Sequence, residues 1–513
     1  MGKPDWYTIA REALVSISGT PGLSQTKLDA LWLMHRSHLP LLANLGNTDA
    51  AKILWPVPTD YRWSERDRRT SELGFKLRAT QQTAIDFITA RRGTLLGDEM
   101  RLGKTTSCVM AHDPSLGPLV VICPAMVRPV WLAWIAKIFP GEPVGVLAGR
   151  TFKPEIVDHK IVVGHYDILS SWQSDRRIGT LVFDEAHVLA NTDSWRSRAA
   201  IYLANKAERV ICATGTPIWN MPMNLWNVLS ILAPGAFGGF HEFGRRYGAA
   251  VPTRYGTKYT GVSNGDELSE RLTEVMIRRL WVDVASDLPE ISRNVIQVDL
   301  DVEQRMALDL ASDRILAEGN KSTIGNLAAY RRTTSLLKLA ATVEQAKTMI
   351  SRGEPVVVWT WHVDLAEKIA EAIGDRAFLV TGDLPAKSRD DALVAWKQTP
   401  ASVLVCTMAV AQVGIDLSHA HLAIFAEIDY TPAILAQAEM RIYAPSRSMN
   451  ITYVVVDHMV DQRIVLALTR KLAASTPLGL AAANDTISIL GVKLGGEPAD
   501  ADMDRLLADL LAG

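Results

Sequence analysis

TLLGDEMRLGKTTS, residues 94–107, is the stretch on which the reading of the fold turns. A short apolar run stops at a glycine, a polar loop follows, and Gly103-Lys104-Thr105 opens a stretch suited to a helix. The phosphate-binding pattern G-x-x-x-x-G-K-[ST] wants a glycine where Asp98 stands, so the textual match fails by one residue. The chemistry does not fail with it. Backbone N–H groups at a helix start favour an anion. Lys104 is spaced to reach nucleotide β- and γ-phosphates, and the Thr105 hydroxyl to hold Mg²⁺. Gly103 is the glycine the geometry most needs, because backbone must approach phosphate closely there. Arg101 is tolerable on the condition that its position needs no positive φ.

Outward from this stretch the texture is regular. TLLGD, LVVICP, KIVVGHY, TLVFDEA and RVICATG are short β-rich runs, each followed by a segment of helical length. That alternation predicts a parallel sheet with crossover helices, whose ligands collect beyond the carboxyl ends of the strands. Between about 221 and 335 the rhythm breaks into helical and loop-rich sequence. It resumes with PVVVWTWH (355–362), RAFLVTGD (376–383), SVLVCT (402–407), HLAIFAE (421–427) and NITYVVV (450–456). Two α/β halves of domain size with an insertion between them are expected.

LVFDEAH (181–187) ends an apolar strand in adjacent carboxylates. Phosphoryl transfer needs one carboxylate on the metal and another group to orient the attacking water, roles suited to Asp184 and Glu185 respectively. ICATGTPIWN (211–220) ends a third strand in hydroxyls, of which Thr214 and Thr216 are candidates to sense a γ-phosphate.

Bulk composition bounds the rest. The chain has 513 residues, enough for two or more domains, with 48% hydrophobic and 21% charged residues, which fits a soluble globular protein. Cys108, Cys123, Cys212 and Cys406 form no CxxC pair, which argues against a zinc site or disulfide framework and fits a reducing cytoplasm. PLVVICPAMVRPVWLAWIAKIF (118–139) is interrupted by prolines and charges, so no membrane span is expected. A formal net charge of −2 announces no nucleic-acid partner, and such a surface has to be local.

Taken together these stretches resemble the superfamily-2 DNA-dependent ATPases of the Snf2 type, from about residue 75 to 470 and in family order. That branch is known for DEMGLGKT loops, so Asp98 follows the family and Arg101 is the departure. LRATQ (77–81) is similar to the LRPYQ element, TGTPIWN to TGTPIQN, and VMIRRLWVDVASDLPE (275–290) to the Snf2 MIRR…LP element. VCTMAVAQVGIDLSHA (405–420) resembles the element S/T-R-A-G-G-x-G-I-N-L, and TPAILAQAEMRIYAPSRS (431–448) the element QAxDRxHRxGQ. In the last, Gln437 and Arg441 are kept, while Met440, Tyr443 and Ala444 replace an aspartate, a histidine and the second arginine. The RRL…LP wording is most similar to the annealing-helicase subgroup.

The resemblance implies two RecA-like parallel-sheet lobes: a helical N-terminal extension (1–70), lobe 1 (71–233), a helical Snf2-type insertion (234–335), lobe 2 (336–472) and a helical or mobile tail (473–513). It implies ATP and Mg²⁺, the latter on Thr105 and Asp184. Nucleotide contacts fall on Arg78, Gln81 (reading the adenine edge), Gly97, Asp98, Glu99, Leu102, Gly103, Lys104, Thr105 and Thr106, and in the second half on Gly414, Asp416 and Gln437. Arg441 and Arg447 are the candidates to take the place of the arginine missing at Ala444.

DNA is the implied partner. Arg128, His165 and Thr407 are candidates by motif position, and Arg245, Arg246, Arg254 and Lys258 by their interleaving with Phe243, Tyr247, Tyr255 and Tyr259. Tyrosines packed beneath a solvated loop explain that composition equally well. Residues 1–70 are a candidate docking piece for a protein partner, and the chain is expected to act as a monomer. Three functions compete: a duplex-DNA translocase, a strand-separating helicase, and a weakly hydrolysing DNA-binding scaffold. Compact size suggests a cytoplasmic protein of bacterial or viral source.

Overall fold

The computed structural model describes residues 60–147, 149, 156, 158–171, 176–217, 221–254, 256–280, 290–317, 332, 334–411, 415–429, 431–444, 447–456 and 461. Most of the N-terminal extension, the tail, Tyr255 and Gly414 lie outside them. Two compact units divide at Val284/Ala285.

The first unit is built on a seven-stranded sheet. Its strands are β1 (Gly93–Leu96), β2 (Leu119–Cys123), β3 (Val144–Val146), β4 (Ile161–His165), β5 (Ile178–Asp184), β6 (Ala207–Ala213) and β9 (Met276–Ile277), ordered β3-β4-β2-β5-β6-β1-β9. Every pairing is parallel. A hairpin, β7 (Ala250–Thr253) with β8 (Gly256–Tyr259), stands apart from this sheet.

Strand periodicity divides the core into two layers. Val120, Ile122, Leu181, Phe183, Val210 and Cys212 pack on one face. Their neighbours Leu119, Val121, Cys123, Val182, Ile211 and Ala213 pack on the other. Both faces are covered by helices, which is why these strands read as continuous apolar runs rather than alternating ones.

The second unit repeats the plan with six strands: β10 (Ile291–Val298), β11 (Val356–Thr360), β12 (Ala377–Val380), β13 (Val403–Thr407), β14 (Leu422–Phe425) and β15 (Met449–Val456). The order is β10-β15-β14-β11-β13-β12, again all parallel. Val356, Val358, Val403, Val405, Ile424 and Val454 form one core face. On the other, the Phe425 ring stacks on Tyr453 at 4.6 Å and lies 6.4 Å from Trp359.

The ten strands read from the sequence are all present. The break at 221–335, expected to be helical and loop-rich, also holds β7 to β10. Those four were missed because they are short or half-exposed: β9 has two residues, and β10 (ISRNVIQV) has no fully buried position. The expected 234–335 insertion is shared between the two units, with β9 in the first sheet and β10 in the second. All four cysteines are buried and unbridged. No described helix is long and apolar enough to cross a membrane.

At the start of β1, a Cβ added to Gly93 would lie 2.0 Å from the carbonyl oxygen of Leu232. The obstacle is backbone and cannot swing aside, so Gly93→Ala is expected to cost about 3 kcal/mol in denaturant unfolding of the first unit.

Candidate functional site

All strands of the first sheet run the same way, so the loops after β1, β5 and β6 emerge at one edge. β6 separates β1 from β5: Leu96 pairs with Ala213, and Ala213 with Asp184. The phosphate loop and the acidic pair therefore stand about 10 Å apart, two strand spacings.

The loop runs from Gly97 to Gly103 and delivers Lys104 as the first residue of the helix Lys104–Met110. Gly103 has φ +88°, and a Cβ there would come within 2.3 Å of Gln81 Nε2, so it is glycine on two counts. Arg101 breaks the condition set for it. Its φ is +66°, in the left-handed region, where a side chain costs about 1 kcal/mol. Two residues of the LRATQ stretch brace the strained turn. Arg78 Nη2 donates to the Arg101 carbonyl at 3.1 Å, and Gln81 Nε2 to the Gly103 carbonyl at 3.5 Å.

Lys104 Nζ donates to the carbonyls of Asp98 (2.8 Å) and Glu99 (3.2 Å). Burial lowers the lysine pKa, while Glu185, Asp98 and Asp184 pull the other way. An ammonium ringed by its own loop's carbonyls is placed to exchange them for phosphate oxygens. Thr105 is half-buried; Leu102 and Thr106 are buried against the fold.

Asp184 is 8% exposed at the end of β5. Trp131 Nε1 donates to its Oδ2 at 2.7 Å, the Glu185 N–H donates to Oδ1 at 3.0 Å, and Tyr166 Oη donates to its main-chain carbonyl at 2.6 Å. Burial, then the Glu185 charge, raises its pKa from the ordinary 3.8 to about 6. Such an under-compensated carboxylate fits a cation, and with the Thr105 hydroxyl the donor set is all oxygen, as Mg²⁺ prefers. Glu185 sits at φ +51°. Thr214 Oγ1 donates to its Oε2 at 3.4 Å, and His187 Nδ1 lies 3.3 Å from the same oxygen. Thr214 thus serves Glu185 and accepts the Thr216 N–H at 3.1 Å. Among the described residues no cluster of three or more His, Cys, Asp or Glu could hold a metal ion.

Sequence reasoning assigned no role to Trp131, Arg278 or Arg279. Arg279 forms a two-pronged ion pair with Asp98, and Arg278 Nη1 donates to the Gly97 carbonyl at 2.8 Å. A buried carboxylate in place of glycine demands a cation and a buried indole N–H an acceptor, but neither demand names its partner along the chain.

In the second unit the helix Pro432–Arg441 carries Gln437, 1% exposed, and ends at Arg441, whose carbonyl accepts the Leu417 N–H at 3.1 Å. Asp416 accepts from Ser418 N–H and Oγ at 3.3 and 3.2 Å. Arg447 is exposed, and its Nη2 donates to the carbonyls of Ser418 (2.6 Å) and His419 (3.2 Å). Met440 and Tyr443 are buried at 8% and 3%, which accounts for apolar bulk where the family pattern has polar residues.

The DNA-side candidates fall in both units. Arg128 bonds the carbonyls of Ala125 and Leu147, His165 ends β4 with Nδ1 3.6 Å from Asp167, and Thr407 is buried at the end of β13. Arg246 is engaged by Glu267 at 2.8 Å, while Arg245 and Arg254 are exposed and Lys258 is half-buried on β8. Phe243 and Tyr247 are each 1% exposed, so these rings are packed beneath the surface rather than offered to bases.

The chain matches the SNF2-related domain over residues 29–348 and the helicase conserved C-terminal domain over 337–444. It belongs to the SNF2-related family, a class of ATP-dependent enzymes. It is 30% identical over 440 residues to the SWI/SNF-related matrix-associated actin-dependent regulator of chromatin subfamily A-like protein 1 of Xenopus tropicalis, covering 81% of this chain and 46% of that one. It is 25% identical over 445 residues to the DNA annealing helicase and endonuclease ZRANB3 of Bos taurus, covering 80% and 41%. The second name agrees with the subgroup to which the RRL…LP wording points. The chain spans about half the length of the curated relatives it matches. A match to the Sulfolobus solfataricus SWI2/SNF2 ATPase core in complex with dsDNA covers 84% of this chain and 96% of that one, at 21% identity and a TM-score of 0.39. The curated relatives overturn the cytoplasmic, bacterial or viral setting expected from size: those named here are animal proteins whose names refer to chromatin regulation and DNA annealing.

Two outcomes follow from the site's geometry. Arg101→Gly relieves the left-handed strain and is expected to stabilise the first unit by about 0.5–1 kcal/mol, read from its denaturation midpoint. Asp184 has a raised folded-state pKa, so the folded form keeps a proton that the unfolded chain releases. Its stabilising contribution is present at low pH and is lost as pH rises from 3.8 through about 6. Within that window, wild type is expected to lose stability relative to Asp184→Asn by up to about 1.4 kcal/mol per pH unit, in paired pH–denaturation profiles.

Proposed function

We propose that this chain hydrolyses ATP and couples the hydrolysis to movement on, or remodelling of, DNA. The observation that carries the reading is the convergence of Lys104, Asp184 and Glu185 on the ends of neighbouring strands of one sheet. Lys104 and the backbone N–H groups at its helix start bind the phosphates. Thr105 and Asp184 hold Mg²⁺, which supplies neutralisation of the charge on the phosphate oxygens. Glu185, held by Thr214 and His187, orients the attacking water. DNA binding rests on the family, on the DNA annealing activity for which one relative is named, and on the exposed Arg245 and Arg254. Movement on duplex DNA is favoured over strand separation because the sequence carries no segment recognisable as a strand-separating wedge. The weakly hydrolysing scaffold draws its support from Ala444, which leaves the family's second arginine without a direct counterpart.

The test is ATP hydrolysis without nucleic acid and with single-stranded, forked and duplex DNA. DNA is expected to stimulate turnover, and Lys104→Ala to lower it about 10²–10³-fold. Tight DNA binding with no turnover on any substrate would instead select the scaffold.

A further inference from the structure

After β9 the chain runs beside the entry to the phosphate loop like a continuing parallel strand. The N–H groups of Leu95, Gly97 and Glu99 donate to the carbonyls of Val275, Ile277 and Arg279 at 2.7, 2.8 and 2.9 Å. Successive side chains of such a run point to opposite faces, and Arg278 and Arg279 use both. Arg278 Nη1 donates to the Gly97 carbonyl at 2.8 Å and to the Gly215 carbonyl at 3.4 Å. It thereby joins the start of the loop to the turn after β6.

Arg279 grips Asp98 with Nε on Oδ1 at 3.0 Å and Nη2 on Oδ2, and its Nη1 donates to the Thr80 carbonyl at 2.5 Å. The side chains of this pair are 15% and 3% exposed, so the fork is shielded from water. The residues so held are those that define the resting place of Lys104, whose Nζ rests on the carbonyls of Asp98 and Glu99. A loop strained at Arg101 (φ +66°) needs such an outside restraint, because its own sequence does not favour that turn.

We propose that Arg278 and Arg279 are positioning residues for nucleotide binding, a clamp that fixes the loop entry, the helix start at Thr80 and the Gly215 turn as one frame around Lys104. The proposal rests on the reading of this site as one for ATP. It also gives the segment leading out of the first unit a second task, since the strap that supports the loop is the same stretch of chain.

The experiment titrates a fluorescent ATP analogue and measures steady-state hydrolysis on the full chain. Deuterium uptake is followed in peptides spanning residues 95–99. Arg279→Ala is expected to lower kcat/KM about 10²-fold, as for a misplaced reacting group, with faster exchange at Gly97 and Glu99. Arg279→Lys keeps the charge but loses the fork, and should fall between. Arg278→Gln leaves the Asp98 pair intact, and should weaken nucleotide binding and raise exchange at Gly97.

Since Arg279→Ala strands a buried carboxylate, the Asp98→Ala/Arg279→Ala double variant serves as the fold-preserving control. It should keep the wild-type denaturation midpoint while nucleotide binding stays weak. Folded variants that bind and hydrolyse ATP like the wild type, with unchanged exchange, overturn the clamp. A wild type that binds no nucleotide removes the ATP reading itself and the inference with it.

Discussion

Parallel pairing of β1 with β6, and of β6 with β5, is the constraint on which the site depends. Three segments from far apart in the chain must end at one sheet edge, and parallel strands in register achieve that with no further device. The pairing is held by the two-layered core, in which Val182, Ile211 and Leu96 face one layer and Leu181, Cys212 and Leu95 the other. A one-residue slip in β5 would turn its apolar set to the wrong layer and carry Asp184 away from the edge. Packing energy and site geometry are thus the same fact seen twice.

Buried carboxylates mark the places where the chain is cross-braced. Asp98 is met by Arg279 and, in the second unit, Glu439 by Arg293 at 2.9 Å and by the Tyr453 hydroxyl at 2.6 Å. Glu427 accepts from the N–H groups of Trp361 and His362 at 2.7 and 2.8 Å, an anion at the start of the helix Val363–Ile373. Each has a partner from a distant segment, as an ionised group out of water requires. Asp184 is held differently: it accepts a distant indole N–H and a main-chain N–H, and burial with the Glu185 charge leaves its pKa raised although Lys104 pulls it down. That imbalance is what a bound cation would correct.

The strands were legible because buried parallel strands are written as contiguous apolar runs bounded by Gly, Pro, Asp or Thr, and each of those ten runs is a strand. β9 and β10 were not legible, since two residues give no period and a half-exposed edge strand carries no apolar run. Lys104, Asp184 and Glu185 could be found by type and spacing. Trp131, Arg278 and Arg279 could not, because nothing along the chain pairs an indole with a carboxylate 53 residues on, or an arginine with an aspartate 181 residues back.

By itself, then, the sequence determined the class of fold, the strands that carry chemistry, and the residue types at the phosphate loop and acidic pair. Those depend on local periodicity and on motifs a few residues long. The tertiary structure decided that Arg101 lies in the left-handed region, that Phe243 and Tyr247 are core, and which groups brace the loop and orient Asp184. Such matters depend on backbone angles imposed by distant contacts and on which polar groups lose water together, and neither is a property of any short stretch of chain.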